Sequence, residues 1–154
     1  MPRFSTRSAE KLATCHSDLQ KIFNEVIKTY DCTIICGERG QDAQNEAYAA
    51  GYSTKKFPES KHNSSPSKAV DVLVYHKHGE HLRWNDDKSA YHFAGYVLRV
   101  AEEMGINLRM GIDWDGDLEF RDQSFIDRPH FELVGDKYDE ECKPMSILLG
   151  DKED

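Results

Sequence analysis

Apolar residues recur every three or four positions near the start of the chain: Leu12, Cys15, Leu19, Ile22, Phe23, Val26, Ile27 and Tyr30. That period is one face of a helix and predicts a single amphipathic helix from about Ser8 to Tyr30. The pattern then shortens. Cys32–Cys36 is β-branched at Thr33, Ile34 and Ile35 and predicts a strand. Gly37 and Gly40 bracket a turn that carries Glu38 and Arg39. Gln41 to Ala50 predicts a second helix, with Gly51 placed to end it. Residues 52–68 are rich in Ser, Lys, Pro and Asn and predict a loop. Ala69 to Tyr75 predicts a strand, and the polar stretch His76 to Asp87 a long turn. Asp86 or Asp87 caps a third predicted helix, which runs to Met104 and stops at Gly105. Ile106 to Met110 and His130 to Val134 predict two more strands. Between them lies an acidic loop, Gly111 to Asp122, and after Asp136 the chain becomes a polar tail.

Strands mixed with a few helices, without regular alternation, predict an α+β fold: a small, mainly antiparallel sheet with about three helices. The 154 residues show no repeat and no linker. One domain is expected, with its core between about residues 8 and 135.

Charge narrows the function. The chain carries 28 acidic and 20 basic residues, for a net charge of -8. A surface for nucleic acid needs a basic excess, so nucleic acid is not an expected partner. No apolar run approaches the ~20 residues that span a bilayer, and stable membrane insertion is not expected. The basic N-terminus, Met1 to Arg7, has no apolar segment behind it, so no secretory signal is predicted and synthesis in the cytoplasm is expected. Cys15, Cys32, Cys36 and Cys142 form no close-spaced pair of the zinc-ribbon kind, and they read as free thiols, mostly buried.

Three groups of residues offer chemistry. Ser60-Lys61-His62 is followed, after a short loop, by Ala69-Val70-Asp71. Asp127-Arg128-Pro129-His130-Phe131-Glu132 enters the last strand. Arg39 lies in the turn after the first strand. Two imidazoles and one carboxylate are what a catalytic zinc ion needs, leaving a fourth position open. His16, His76, His78, His81 and His92 read as ordinary core or surface residues. Three of them, His76, His78 and His81, crowd together, but in a polar turn with no strand carboxylate beside it.

The pair of motifs, Ser60-x-His62…Ala69-x-Asp71 with Asp127-x-x-His130-Phe131-Glu132, resembles the zinc D-Ala-D-Ala carboxypeptidase and L-alanyl-D-glutamate endopeptidase family, whose phage members serve as endolysins. The wider fold group includes lysostaphin-type peptidases and the hedgehog signalling domain. Gly37-Glu38-Arg39 with Gln44, and Met110-Gly111-Ile112-Asp113-Trp114, extend the resemblance over residues 33 to 134. It implies zinc held by His62, Asp71 and His130, Asp127 as catalytic acid and base, and Arg39 facing the substrate. Glu132 is the rival base, or a carboxylate that holds an imidazole N–H. For Arg39 the plain reading is a surface ion pair with Glu38 or a neighbour. The gap from His62 to Asp71 is two residues longer than the family's usual one, so Asn63 to Ser67 must bulge.

The implied substrate is the stem peptide of peptidoglycan, and the implied role is host-cell lysis by a monomer that reaches the wall after release. An endopeptidase for the L-Ala–D-Glu bond, a carboxypeptidase or dipeptidase for D-Ala-D-Ala ends, and a non-catalytic zinc-stabilised wall-binding module are the three readings.

The acidic loop suggests a second cation. Asp113, Asp115, Asp117 and Glu119 alternate and Asp122 follows, the oxygen spacing of the first half of an EF-hand. Leu118 and Ser124 stand where an EF-hand has Gly and Glu. The plain reading is a solvated acidic turn. The functional one is a calcium site that switches the enzyme on once the membrane is breached.

Overall fold

In the computed structural model, which describes residues 1–146, the N-terminal amphipathic stretch is two helices, α1 (Thr6–Leu12) and α2 (Ser17–Val26). The apolar period runs on across the break, because tertiary bonds make it. His16 N–H donates to Ser67 O at 2.8 Å, and Ser67 N–H to Thr14 O at 2.9 Å. His16 Nδ1 then accepts the Asp18 N–H at 3.0 Å and caps α2. Gly37 presses on the same turn: a Cβ there would lie 2.3 Å from Thr14 Oγ1 and 2.5 Å from Lys11 O.

The remaining elements follow in chain order. β1 is Cys32–Cys36 and α3 is Gln41–Ala49. A 3-10 turn at Lys61–Asn63 leads to β2 (Ser64–Ser65) and β3 (Ala69–Val74). α4 is Asp87–Glu103, with the Asp86 side chain accepting the Ser89 N–H at 3.1 Å. β4 (Leu108–Met110), β5 (His130–Leu133), α5 (Asp136–Glu141) and β6 (Lys143–Pro144) complete the described residues. Four strands make one antiparallel sheet in the order β1-β3-β5-β4. α4 lies against β3 and β4, α2 lies against α4, and α1 lies against β1. Phe23 of α2 and Phe93 of α4 close on Phe131 of β5, with ring centroids 5.4 and 6.1 Å away. Among the described residues no helix is long and apolar enough to cross a membrane.

The described residues hold five α-helices where about three are expected. One extra comes from the break between α1 and α2, the other from α5 in the polar tail. α5 is short and charged, so its sequence carries no strong period. It docks through single contacts instead: Tyr138 OH donates to Asp18 Oδ2 at 2.8 Å, Glu141 pairs with His16, and Asp139 meets Lys68 Nζ at 2.8 Å. Tyr138 and Cys142 are buried. Beyond α5, β6 pairs with β2, and the Met145 N–H donates to Asn63 O at 2.8 Å. The long gap between His62 and Asp71 is thus taken up by the 3-10 turn and a strand bound to the C-terminal segment.

Candidate active site

Sheet register brings the three motifs together. Asp71 on β3 stands opposite His130 on β5 and opposite Cys36 on β1. His62 reaches the same place from its 3-10 turn. Ser60 caps that turn, and the Asn63 side chain donates to Arg39 O at 2.8 Å. The backbone N–H of Arg39 donates to His62 O at 2.8 Å, so the turn bearing Arg39 and the turn bearing His62 are one unit.

Asp71 Oδ1 lies 3.1 Å from His62 Nε2 and 3.2 Å from His130 Nδ1. Both rings are held from behind. His62 Nδ1 donates to Gly37 O at 2.8 Å, and His130 Nε2 donates to Glu132 Oε1 at 2.8 Å. Asp127 Oδ2 is 3.9 Å from His130 Nδ1, on the same side as Asp71. Donor atoms of Asp71, Asp127 and His130 lie within 4.8 Å of one another, as do those of Cys36, His62 and Asp71. Asp71 is common to both groups.

The carboxylates favour positive charge on both rings. Burial opposes charge on His62, but Asp71 outweighs it and lifts this imidazole to about 10. His130 is lifted to about 9 against its burial by Asp71 and Glu132. Despite its own burial, Asp71 is held well below the usual carboxylate range by the two imidazoles. Burial pushes Asp127 the other way, upward, with the charge on Asp71 adding to it. Glu132 is buried, yet its bond to His130 and the nearby Arg109 keep it low.

Arg39 is not paired with Glu38. Its guanidinium donates to Gln44 Oε1 at 3.1 Å and to Asp71 Oδ2 at 3.4 Å, while Glu38 accepts from Ser65. Gln44 is fully buried and braces it. A tight turn carries Asp127: its N–H donates to Gly111 O at 2.8 Å, and the Gly111 N–H donates to His130 O at 2.8 Å. Trp114 leans over His130, ring centroids 5.3 Å apart, and its indole N–H holds Phe125 O at 2.8 Å.

In the acidic loop three of the five expected residues meet. Asp113, Asp115 and Asp117 bring their oxygens within 4.8 Å of one another. Glu119 is taken up by Arg121 and Asp122 by Gln123, so these two depart from the EF-hand-like set. Asp113 is only 1% exposed, and its Oδ1 has no hydrogen-bond partner among the described residues. Leu118 adopts φ +67°, the left-handed backbone at the position where an EF-hand uses Gly.

Nothing in the residue pattern of β1 points to Cys36 as a member of this site. A regular ladder continuing from Ile34↔Val72 would set Ile35 across from Asp71, but a bulge in β1 sets Cys36 there. Its thiol is held low against its burial by His62, whereas burial pushes Cys15 and Cys32 up to about 12.

The chain is similar in sequence and in shape to known proteins. The family model for phage L-alanyl-D-glutamate peptidase matches residues 1–134. The L-alanyl-D-glutamate peptidase of Escherichia phage T5 is 34% identical over 140 residues, which is 86% of this chain and 98% of that protein. The crystal structure of the Serratia marcescens L-Ala D-Glu endopeptidase ChiX superposes with a TM-score of 0.68 at 28% identity, over 88% of this chain and 92% of that one.

Proposed function

The chain belongs to the phage L-alanyl-D-glutamate peptidase family, and on that premise we propose that it is a zinc-dependent peptidoglycan endopeptidase acting as an endolysin. The observation that carries this reading is the meeting of both imidazoles on one oxygen of Asp71, with Asp127 alongside.

The donor set suits zinc. His62, Asp71 and His130 supply two nitrogens and one carboxylate, and the far nitrogen of each ring is fixed by a hydrogen bond, as metal-binding histidines require. When bound, zinc supplies an acidified water and polarises the scissile carbonyl. The chain's own residues do the rest. Asp127, held above the ordinary carboxylate range, takes a proton from the attacking water and passes it to the leaving amine. Glu132 already holds His130 and faces Arg109, so its part is to orient the ring rather than to act as the base. Arg39 steadies Asp71 and offsets negative charge developing on the substrate's carbonyl oxygen.

The L-Ala–D-Glu bond of the stem peptide is the proposed target, since both named relatives are L-Ala–D-Glu peptidases. The protein acts as a monomer on the wall after release from the host cytoplasm. Digestion of purified peptidoglycan, with and without chelator, tests this. New ends at L-Ala and D-Glu, lost with chelator, are expected. Free D-Ala or D-Ala-D-Ala would indicate the carboxypeptidase or dipeptidase instead, and no product at all the wall-binding module.

The acidic loop supports calcium as a second ion. Asp113 Oδ1 is buried without a partner beside Asp115 and Asp117, and hard oxygen donors of this kind favour calcium. The loop leads into the turn that carries Asp127, so ordering it orders the catalytic carboxylate.

A further inference from the structure

The bulge in β1 has a chemical result. Side chains alternate along a strand, so one extra residue exchanges the face that each following side chain meets. Ile35 is that extra residue, and it leaves Cys36 paired across the ladder with Asp71. Bulges often re-aim a side chain beside an active site. Here the re-aimed side chain is a thiol. Its Sγ lies with donor atoms of His62 and Asp71 inside a 4.8 Å group, and it shares the Gly37 carbonyl with His62, 3.6 Å from sulfur and 2.8 Å from Nδ1. The other three thiols, Cys15, Cys32 and Cys142, are buried and belong to no such group among the described residues.

Resting on the metallopeptidase reading above, we propose that Cys36 is a further ligand of the active-site metal, giving the site a mixed nitrogen, oxygen and sulfur donor set that favours a soft divalent cation. Three ligands leave one position open. A thiolate that can occupy it gives the metal a closed resting shell, which substrate or water must open. Sulfur also biases the site towards ions such as zinc, cadmium and cobalt over magnesium or manganese.

Cobalt is the probe, because a thiolate bound to Co(II) adds a near-ultraviolet charge-transfer band that nitrogen and oxygen ligands do not. The wild-type protein loaded with Co(II) should show that band. Cys36→Ser should lose it while keeping the visible bands of bound cobalt. Cobalt held without the sulfur band in the wild type would overturn this inference and leave the metallopeptidase reading standing. Failure to hold cobalt at all would overturn both. Should Cys36→Ser not fold, alkylation of the wild type read by mass spectrometry decides. Cys36 should be modified in the metal-free protein and protected in the cobalt form, and equal modification in the two would overturn the proposal.

Discussion

Glu132 Oε1 lies 2.8 Å from His130 Nε2, and that one bond turns the opposite nitrogen, Nδ1, towards Asp71. The two residues share a face of β5 because they are two apart. Glu132→Gln should therefore act on the metal rather than on proton transfer. Zinc affinity should fall by about 10- to 100-fold, and turnover at saturating zinc should be largely restored. A dead enzyme with full zinc content would make Glu132 the base.

Asp127→Asn should give the opposite pattern. The fold and the bound metal should be retained, and turnover should fall by about 10²–10⁴-fold, the usual contribution of a general acid–base group. Metal analysis alongside kcat separates the two variants. Unchanged turnover would remove Asp127 from the mechanism.

The raised imidazoles set a pH dependence with a definite sign. His62 at about 10 and His130 at about 9 bind protons more tightly in the folded, metal-free protein than the ordinary imidazole at ~6.5. Their contribution to stability is complete below ~6.5 and is lost as pH rises through 9 to 10. The Tm of the metal-free protein should fall over that window. Metal must displace these protons, so its affinity should rise with pH and binding at neutral pH should release protons. Calorimetry in two buffers of different ionisation enthalpy measures the release. A pH-independent affinity would contradict it.

Gly111→Ala tests the turn beneath Asp127. A Cβ there would sit 2.1 Å from Asp127 O and 3.0 Å from Asp127 Cβ. Backbone has to move, at a cost on the order of 1–3 kcal/mol for such overpacking. Activity should drop more than stability, since Asp127 and His130 are both displaced. A thermal melt and a rate measured on one preparation compare the two.

Calcium should bind the acidic loop and raise activity, and Asp113→Asn should weaken both effects more than Glu119→Gln. Asp113 is buried and unpartnered at Oδ1, whereas Glu119 is occupied by Arg121. Titration into zinc-loaded protein measures the affinity. No binding below about 1 mM, the weak end for such loops, together with an unchanged rate, would end the idea.

Much of the fold can be read from short-range pattern. β1, α3 and α4 lie where Cys32–Cys36, Gln41–Ala50 and the stretch behind Asp86 predict them, because each is closed by a local signal such as the Asp86 cap or Gly51 at φ +80°. What pattern does not reveal is made at long range. The break before α2 depends on Ser67, far away in sequence, and α5 depends on Asp18 and His16. The site divides in the same way. His62, Asp71 and His130 stand out through the resemblance of their motifs to the peptidase family, and the structure brings them together. Cys36 depends on a bulge that no composition signals. Glu119 fits the alternation and Asp122 lies just beyond it, yet they are captured by Arg121 and Gln123.

The pairing of Ser64–Ser65 with Lys143–Pro144, and of the Asn63 carbonyl with the Met145 N–H, also orders events in time. A chain emerging from the ribosome presents His62 long before residues 143–145 have been made. Until they appear, the peptide groups just after His62 have neither a strand partner nor this hydrogen bond. The loop that offers the first histidine is therefore completed only after residues 143–145 have been made.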